Sequence, residues 1–503
     1  MRAAEAAAFA RGITAETLME EAGAGIARAV AKFFPRPGKC LVFAGKGHNA
    51  GDAFVAARWL EEAGWAIETR LIFPEQELSA LTSKKLAELR AQECGRGFCA
   101  PIGATPGIGA QRPLPQSPII ILDGLLGLGA HPPLREPIRS ACREINSLRA
   151  KARVIAIDLP TGLDGDTGEA DPDCVSADFT LTVGAAKTGL VADSAIDFVG
   201  RLEVVPLAEL RRDELPLVPG RAEARPSEAA TPEALRNLLP RRSYSSYKNQ
   251  FGRIGIVAGS RGFTGAAVMC SLGALRAGAG LVELFVPEEI YEIVAAAAAP
   301  EVMVKPVTSY ADLLAEPIDV WAVGPGLGKS RAEEIIELIR EAGQPMVVDA
   351  DGLNILAENM ATLKKVRGAR LLTPHPGEMQ RLFPADKMSR AETATKFCAE
   401  HAVTMLLKGS RTIVAEAGRP LSYNTTGNPG LATGGMGDVL TGVCAALLGA
   451  KLLPNEAARL GAWLCGRAAE LAISQGSASE ESLLPRDVLD HLGAAFRDLR
   501  ERT

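Results

Sequence analysis

The sequence predicts an α/β fold made of two doubly wound domains. Short apolar segments alternate with amphipathic segments in both halves of the chain, which is typical of parallel sheets covered by helices on both faces. A chain of 503 residues is also too long for a single hydrophobic core. Between residues 206 and 246 the apolar periodicity is lost and Pro, Arg, Glu and Ala dominate. We therefore expect domains at 1–210 and 228–503, joined by a linker at 211–227.

The first half contains five apolar runs that are short enough for buried strands and end at glycine, proline or aspartate. The predicted strands are residues 40–43, 67–73, 119–123, 154–158 and 179–183. Between them, apolar residues recur every three or four positions, which predicts amphipathic helices. The predicted helices are residues 51–63, 79–92 and 134–148.

The second half repeats this alternation. The predicted strands are residues 254–258, 281–286, 320–323, 346–349, 371–373 and 404–408, and the predicted helices are residues 331–341, 391–400 and 439–450. Residues 266–286 form the most apolar stretch, but it carries Arg276 and Glu283 as well as glycines. It therefore predicts a helix followed by a buried strand rather than a membrane span.

Composition limits the classes of partner. The net charge is −5 and the chain has no long Lys/Arg run, which disfavours a nucleic-acid surface. The nine cysteines and five histidines are dispersed, which indicates a reducing compartment and disfavours a zinc site. The first apolar run is broken by Glu5 and Arg11, so it does not resemble a signal peptide. We expect a cytoplasmic protein that binds small molecules, with no nucleic-acid or membrane partner.

A glycine-dense loop at residues 427–438 leads directly into the apolar helix pattern 439–450. Backbone N–H groups of such a loop can approach a phosphate closely, and the helix dipole adds to the attraction. Asp438 stands where the loop becomes the helix. We expect the dipole to keep it ionised, so that it can take a proton from an attacking hydroxyl. The alternative is a glycine-rich turn with an aspartate cap.

Other unusual segments of the second half also follow predicted strands. They are residues 259–267, 324–328, 349–354, 373–378 and 408–412. Their glycines, aspartates and glutamate suit a nucleotide site with Mg²⁺, although no P-loop pattern is present. His375 lies between two prolines, which favours ligand contact over core packing. Lys408 ends an apolar run and would often be a surface residue.

The first half has four comparable segments after its strands: residues 45–52, 123–129 and 158–168, and Lys187. Each alone could be a structural turn or cap. Because parallel strands end at the same edge of the sheet, we expect them to converge. Asn49, Asp123 and Thr161 offer hard oxygen ligands that suit an alkali or alkaline-earth cation, and Asp158 can act as an acid or base.

These motifs resemble those of the NAD(P)H-hydrate repair enzymes. Gly45-Lys-Gly-His-Asn-Ala-Gly-Asp52, Asp123-Gly-Leu-Leu-Gly-Leu-Gly129 and Asp158-Leu-Pro-Thr-Gly162, followed by Lys187, are similar to the motifs of their epimerase domain. The second half is similar to the companion dehydratase domain. The resemblance implies a Rossmann-like three-layer sandwich followed by a ribokinase-like domain. It further implies that the protein epimerises R and S hydrates of NADH and NADPH and dehydrates the S form with ADP, giving AMP and phosphate.

The resemblance also implies the site residues. Asp438 and Asp158 are the expected catalytic residues, and K⁺ is expected at Asn49, Asp123 and Thr161. The hydrated dinucleotide is expected at His48, Asn49, Ala50, Gly51, Asp52, Gly127, Leu128, Gly129, Ala130, His131, Pro132, Pro133 and Asp158, and in the second domain at Ala266, Gly326, His375 and Asp438. ADP, with Mg²⁺, is expected at Lys408, Gly409, Ser410, Arg411, Thr412 and Gly437. The expected assembly is a homo-oligomer.

The first loop departs from the family pattern at three positions. His48 replaces Asn, and Ala50 and Ala53 replace Gly. Added methyl groups restrict a backbone that must approach a ligand closely, which disfavours epimerase activity in this domain. Two alternatives remain open: a ribokinase-like metabolite kinase with an accessory domain, and a first domain that serves for binding or scaffolding.

Overall fold

The computed structural model describes residues 8–95, 118–208, 227–239, 241–385 and 387–501. The chain divides into two compact units, Met1–Ala222 and Glu223–Thr503. Of the expected linker at 211–227, residues 211–226 lie outside the described ranges, as do the first seven residues. The expected end of the linker needs correction, because Ser227 already belongs to a strand.

The N-terminal unit is built on six parallel strands in the order β2-β1-β3-β4-β5-β6. The strands are β1 (Lys39–Ala44), β2 (Ala66–Leu71), β3 (Ile119–Gly124), β4 (Arg153–Ile157), β5 (Phe179–Val183) and β6 (Arg201–Val205). The helices are α1 (Ala15–Phe33), α2 (His48–Glu62), α3 (Ala80–Gly95), α4 (Ile138–Leu148) and α5 (Ile196–Val199). One buried cluster packs Ile26, Phe54 and Leu86 of α1 to α3 on one face of the sheet, and another packs Ile138 and Ile145 of α4 on the other. The unit is therefore a three-layer sandwich.

The C-terminal unit contains ten strands in the order β10-β9-β8-β11-β12-β13-β14-β15-β16-β7. The strands are β7 (Ser227–Ala230), β8 (Arg253–Val257), β9 (Leu281–Pro287), β10 (Val302–Val307), β11 (Val320–Val323), β12 (Met346–Val348), β13 (Arg370–Leu372), β14 (Thr404–Leu407), β15 (Ile413–Glu416) and β16 (Leu421–Asn424). Its helices are α6 (Pro232–Leu235), α7 (Thr264–Arg276), α8 (Tyr291–Ala297), α9 (Ala332–Glu341), α10 (Ala350–Ala357), α11 (Pro376–Leu382), α12 (Arg390–Glu400), α13 (Met436–Gly449), α14 (Pro454–Ser474) and α15 (Pro485–Glu501). The predicted α/β class with two doubly wound units is confirmed.

The helix α13, which follows the glycine-dense loop, is buried from Val439 to Gly449. It packs closely on α7 because glycines face the partner backbone at both contacts. A Cβ on Gly442 would lie 2.0 Å from the carbonyl oxygen of Cys270, and one on Gly273 would lie 2.4 Å from that of Val439. Larger residues at these positions would separate the two helices. The close contact therefore fixes the position of α13 against α7.

Some predicted elements differ from those observed. The sheet of the C-terminal unit is not wholly parallel, because β15 pairs antiparallel with both β14 and β16. Strands β6, β7, β10, β15 and β16 were not predicted. Helix α4 begins at residue 138 rather than 134, because Pro137 follows Glu136 and a residue before proline disfavours helical backbone. Among the described helices, none combines the length and apolarity that a membrane crossing needs.

Candidate functional site

The first candidate site lies at the switch point of the N-terminal sheet. β2 lies on one side of β1 and β3 on the other, so the connections after β1 and β3 leave in opposite directions and open a crevice at their carboxyl ends. Helix α2 starts at His48, three residues earlier than predicted, with Gly47 as its N-cap. The first turn of α2 therefore belongs to the loop that was expected to hold the dinucleotide.

Asn49, Asp123 and Thr161 are brought together in this crevice. Asp123 accepts hydrogen bonds from the Thr161 hydroxyl at 2.7 Å and from the Thr161 backbone N–H at 2.9 Å. The Asn49 amide nitrogen donates to the carbonyl oxygen of Leu126 at 2.9 Å, and the Leu126 N–H donates to Thr161 Oγ1 at 3.2 Å. Because the Asn49 nitrogen is used in this way, its amide oxygen is the atom available to a cation. The three predicted oxygen ligands thus share one polar network.

The Asp123 carboxylate is fully buried. Burial raises the pKa of Asp123 to about 6, although the hydrogen bonds from Thr161 act in the opposite direction. A buried carboxylate with this environment gains from a bound cation, which would stabilise its ionised form. The donor set, its burial and its charge therefore fit an alkali cation.

Asp158 directly follows β4 and has a positive φ of 67°, an uncommon conformation for a residue other than glycine. Its Oδ1 accepts from the Val183 N–H at 3.1 Å and forms an ion pair with Lys187. The Lys187 ammonium also donates to Thr182 Oγ1 at 2.9 Å and to the Val183 carbonyl oxygen at 3.0 Å. The buried Lys187 ammonium is thus held by three acceptors, one of which is Asp158 Oδ1. With Oδ1 engaged by Lys187 and Val183, Oδ2 is the oxygen that can act on a ligand.

The remaining predicted residues of the first site differ in exposure. His48, Gly129, His131 and Pro133 are exposed, whereas Ala50 and Gly51 are buried. The methyl groups of Ala50 and Ala53 lie in the hydrophobic core, and a Cβ on Gly124 would approach that of Ala53 to 2.7 Å. These methyl groups therefore pack inside the unit, on the side of the helix that faces the core. The expectation that they restrict the backbone of the loop stays a prediction. His131 Nδ1 lies 2.7 Å from Asp164, and this contact lowers the pKa of Asp164 to about 2.

The second candidate site begins at the switch point of the C-terminal sheet, where β8 and β11 are neighbours. Gly326 follows β11 and Ala266 lies in the first turn of α7, and the structure brings these two predicted residues together. A Cβ on Gly326 would lie 3.0 Å from the Ala266 Cβ and 2.9 Å from the Phe263 Cβ. The Ser260 hydroxyl donates to the Gly326 carbonyl oxygen at 2.8 Å. An open cavity of about 400 Å³ is lined in part by Ser260, Leu327 and Gly328.

The amino end of α13 forms the centre of this site. Gly435 caps the helix with a φ of 92°, which favours glycine, and Asp438 lies in the first turn. Lys408 extends from the end of β14 to the same place. A Cβ on Gly437 would lie 3.3 Å from the Lys408 Nζ. The predicted base and the predicted phosphate-binding lysine therefore meet at one helix terminus.

Asp349 connects these elements. Its Oδ1 accepts from Lys408 Nζ at 2.7 Å, and its Oδ2 accepts from the hydroxyl of Thr441 on α13 at 2.6 Å. Asp349 and Thr441 are both buried. Burial lowers the pKa of Lys408, but the carboxylates of Asp349 and Glu378 outweigh it, so the net shift is upward. Lys408 is therefore a half-buried cation held by carboxylates, with 18% of its side chain exposed, and the surface alternative is wrong.

His375 joins the network through Glu378. The His375 Nδ1 accepts from the backbone N–H groups of Gly377 and Glu378 at 3.0 and 3.3 Å, so it caps α11. Glu378 Oε2 accepts from the backbone N–H of His375 at 2.8 Å and lies 3.8 Å from Lys408 Nζ. The His375 Nε2 lies 3.5 Å from Glu378 Oε1. Because Nδ1 accepts, Nε2 is the ring nitrogen that can donate to a ligand.

Residues 408–412 form the turn between β14 and β15. Arg390 of α12 holds this turn through the carbonyl oxygens of Ser410, at 2.8 Å, and Lys408, at 3.3 Å. The Thr412 hydroxyl donates to the Gly409 carbonyl oxygen at 3.2 Å. The five residues expected to bind ADP therefore form one supported turn beside the amino end of α13.

The expected protonation state of Asp438 needs correction. Burial, together with the negative charge of Asp349, raises the pKa of Asp438 to about 7, whereas the Lys408 ammonium acts in the opposite direction. Desolvation and like charge therefore outweigh the helix dipole on which the expectation rested. A pKa raised toward neutrality suits a general base, because the group can then both take up and release a proton.

In the described ranges, no group of three or more His, Cys, Asp and Glu side chains is arranged to hold a metal ion. Cation binding would therefore depend on other oxygens, such as the amide and hydroxyl in the first site and ligand phosphates in the second.

Sequence reasoning did not name two residues of the second site. Asp349 was noticed only as part of segment 349–354, whose carboxylates suit Mg²⁺, and its contact with Lys408 was not expected. Thr441 stands inside an apolar helix pattern, three positions after Asp438. A single hydroxyl on the buried face of a helix needs a partner, and this was the available signal.

Comparison with known proteins agrees with this division of the chain. A family model described as YjeF-related protein N-terminus matches residues 15–189, and one described as NAD(P)H-hydrate dehydratase matches residues 254–492. A solved structure of the ADP/ATP-dependent NAD(P)H-hydrate dehydratase from Bacillus subtilis, co-crystallised with ATP and Mg²⁺, is 29% identical with a TM-score of 0.48. It covers 55% of this chain and 100% of that chain.

Full-length relatives match both units. The bifunctional NAD(P)H-hydrate repair enzyme of Moorella thermoacetica is 35% identical over 505 residues, covering 96% of this chain and 93% of that protein. The enzyme of the same name from Escherichia coli is 35% identical over 477 residues, covering 92% and 87%. The chain belongs to the family of bifunctional NAD(P)H-hydrate repair enzymes.

Proposed function

We propose that this protein repairs hydrated NADH and NADPH in two steps. The N-terminal unit interconverts the R and S hydrates, and the C-terminal unit dehydrates the S hydrate with ADP, releasing AMP and phosphate. The observation that carries the proposal is the meeting of Asp438, Lys408 and Gly437 at the amino end of α13. A base and a cation at a helix amino terminus are the parts that transfer of a phosphoryl group to a hydroxyl requires.

In the second site, Asp438 takes the proton of the hydroxyl on the hydrated nicotinamide ring as its oxygen attacks the terminal phosphoryl group of ADP. AMP leaves, and the backbone N–H groups of the glycine loop together with Lys408 stabilise the developing charge. Phosphate is a better leaving group than hydroxide. The lone pair of the ring nitrogen then expels phosphate, and loss of a proton from the adjacent ring carbon restores the dihydropyridine.

The nucleotide would bring Mg²⁺, and the buried Glu378 is the carboxylate nearest to Lys408 after Asp349. Carboxylate and phosphate oxygens suit this ion, and when bound it would neutralise part of the phosphate charge. Asp349 has both oxygens engaged by Lys408 and Thr441, so it is less suited to this role.

In the first site, Asp158 is the residue that gives or takes a proton while the configuration at the hydroxyl-bearing carbon of the hydrate is inverted. Lys187 and the Val183 N–H hold its Oδ1, which directs Oδ2 outward. We propose that Asn49, Asp123 and Thr161 hold K⁺, which when bound would compensate the buried charge of Asp123. The burial of Asp123 and the oxygen-only donor set support this assignment.

A product analysis tests the proposed function against a metabolite kinase. With the S hydrate of NADH and ADP, the protein should yield NADH, AMP and phosphate in equal amounts. Accumulation of a stable phosphorylated compound, with no recovery of NADH, would favour the kinase.

A further inference from the structure

We infer that Asp349 and Thr441 are positioning residues that fix Lys408 for the nucleotide phosphate; this rests on the proposed use of ADP at this site. Asp349 is one of the most buried carboxylates of the C-terminal unit, at 1% exposure. Each of its oxygens has its own partner, Lys408 Nζ at 2.7 Å and Thr441 Oγ1 at 2.6 Å. A carboxylate engaged in this way is not free to act as a base.

The geometry shows what the arrangement accomplishes. Lys408 directly follows β14, and Asp349 directly follows β12. Asp349 stands between Lys408 and the helix that begins at Met436. Gly437 lies against both groups, because its Cβ would be 3.3 Å from Lys408 Nζ and 3.7 Å from Asp349 Oδ2. The carboxylate thus bridges the lysine to the second turn of α13 and holds the ammonium at the helix amino terminus.

A flexible four-carbon side chain would otherwise have other positions available. The carboxylate of Glu378, 3.8 Å away, competes for the same ammonium on the His375 side of the site. Without the Asp349 bond at 2.7 Å, Lys408 would move toward Glu378 and away from Gly437. Because charge-assisted hydrogen bonds are short and directional, one such bond is sufficient to select the position.

Thr441 has a distinct part in this arrangement. It is fully buried, and its hydroxyl is the contact that ties the Asp349 carboxylate to α13. Removing the hydroxyl leaves Asp349 Oδ2 buried without that donor, and the carboxylate is then free to rotate. Serine preserves the donor whereas valine preserves only the shape, so Thr441→Ser and Thr441→Val form a matched pair.

The test is a double-mutant cycle on ADP affinity, measured by titration calorimetry on the full-length protein with ADP and Mg²⁺ and without hydrate. In the parent background, Asp349→Asn should lower the affinity for ADP by about tenfold. In a Lys408→Met background, the same change should weaken ADP by less than about twofold, because the lysine that it positions is gone. Thr441→Val should lower the affinity for ADP by about threefold to tenfold. Thr441→Ser should keep this affinity within about twofold of that of the parent.

An equal loss of ADP affinity from Asp349→Asn in both backgrounds would overturn the inference, since Asp349 would then act independently of Lys408. Unchanged affinity in Asp349→Asn alone would overturn it as well. If Asp349→Asn acted only through a general loss of stability, the melting temperature would fall, and the loss of ADP affinity would not depend on whether Lys408 is present. Failure of the inference would appear in the ADP affinities, which are measured without turnover. Failure of the proposed function would appear differently, because the parent would bind ADP but recover no NADH from the hydrate.

Discussion

Lys187 and Asp158 form an ion pair at the carboxyl edge of the N-terminal sheet, with the lysine at 8% exposure. The lysine was noticed in the sequence, but its role could not be read there. The pair joins the segments that follow β4 and β5, and the aspartate has a positive φ of 67°. A buried ammonium with three acceptors is well suited to orient a catalytic carboxylate.

Replacing Lys187 should therefore impair epimerisation. In Lys187→Met, Asp158 loses the ion pair that fixes Oδ1, and we expect the epimerisation rate to fall by about two orders of magnitude. Proton NMR on a single hydrate epimer, without ADP, measures this rate. Lys151→Met is a suitable control, because Lys151 is exposed and precedes the opposite end of β4. A normal rate in Lys187→Met would show that the pair is structural.

Asp438→Asn should abolish dehydration while ADP still binds. The amide keeps the shape of the side chain but cannot take the hydroxyl proton, and loss of a general base typically costs about two to four orders of magnitude in rate. Recovery of absorbance at the dihydronicotinamide band, with the S hydrate and ADP, measures the rate. Turnover close to that of the parent would remove Asp438 from the mechanism.

The rate of dehydration should rise with pH through about 7, because Asp438 must be ionised to act and its pKa is raised to about 7. Below that pH the protonated form predominates, and kcat/KM should fall about tenfold per unit. In Asp349→Asn the negative charge that helps to raise this pKa is absent, so the acidic limb should move to lower pH. A flat profile between pH 5 and 8 would contradict the assignment of the base.

Asp123→Ala should abolish the dependence of epimerisation on K⁺. Asp123 supplies the only full charge among the three expected ligands, so its removal should release the cation and loosen the loops that it joins. Epimerisation is compared in potassium chloride and in choline chloride at equal ionic strength. Dehydration of the S hydrate by the same variant should be unchanged. A parent that epimerises equally well in both salts would contradict the proposed K⁺ site.

Arg370 is predicted to stabilise the C-terminal unit. This buried guanidinium donates to the carbonyl oxygens of Ile339, Ala342, Gln344 and Ala369 around the end of α9. Arg370→Met would remove the guanidinium donors of these carbonyl oxygens, of which that of Ala369 keeps the N–H of Met346 as a donor at 2.9 Å. We expect a loss of about 2 to 4 kcal/mol in the free energy of unfolding.

Denaturant unfolding of the C-terminal unit measures this loss. Arg367→Met is the control, because Arg367 is exposed and its guanidinium forms an ion pair with Glu341 at 2.8 Å. The control should lose less than about 1 kcal/mol. Equal losses in the two variants would contradict the account of Arg370.

The long apolar strands and the glycine loops could be predicted from the sequence, because burial and backbone freedom leave direct marks there. The four-residue strands β7, β15 and β16 could not. Ser227–Ala230 has no apolar run, and it becomes a strand because β16 supplies backbone partners. The expectation that segments after parallel strands converge predicted that Lys408 lies near Asp438. It did not predict the raised pKa of Asp438, which depends on burial and on the charge of Asp349.

The most direct test of the central claim follows the conversion of racemic NADH hydrate in the presence of ADP, Mg²⁺ and K⁺. Two active units should carry recovery of NADH to completion, faster than spontaneous epimerisation allows, while AMP forms in equal amount. Asp158→Asn should stall near half conversion, with the R hydrate remaining. A parent that also stalls near half conversion would contradict an active first unit, and a parent that recovers no NADH with ADP would contradict the repair function itself.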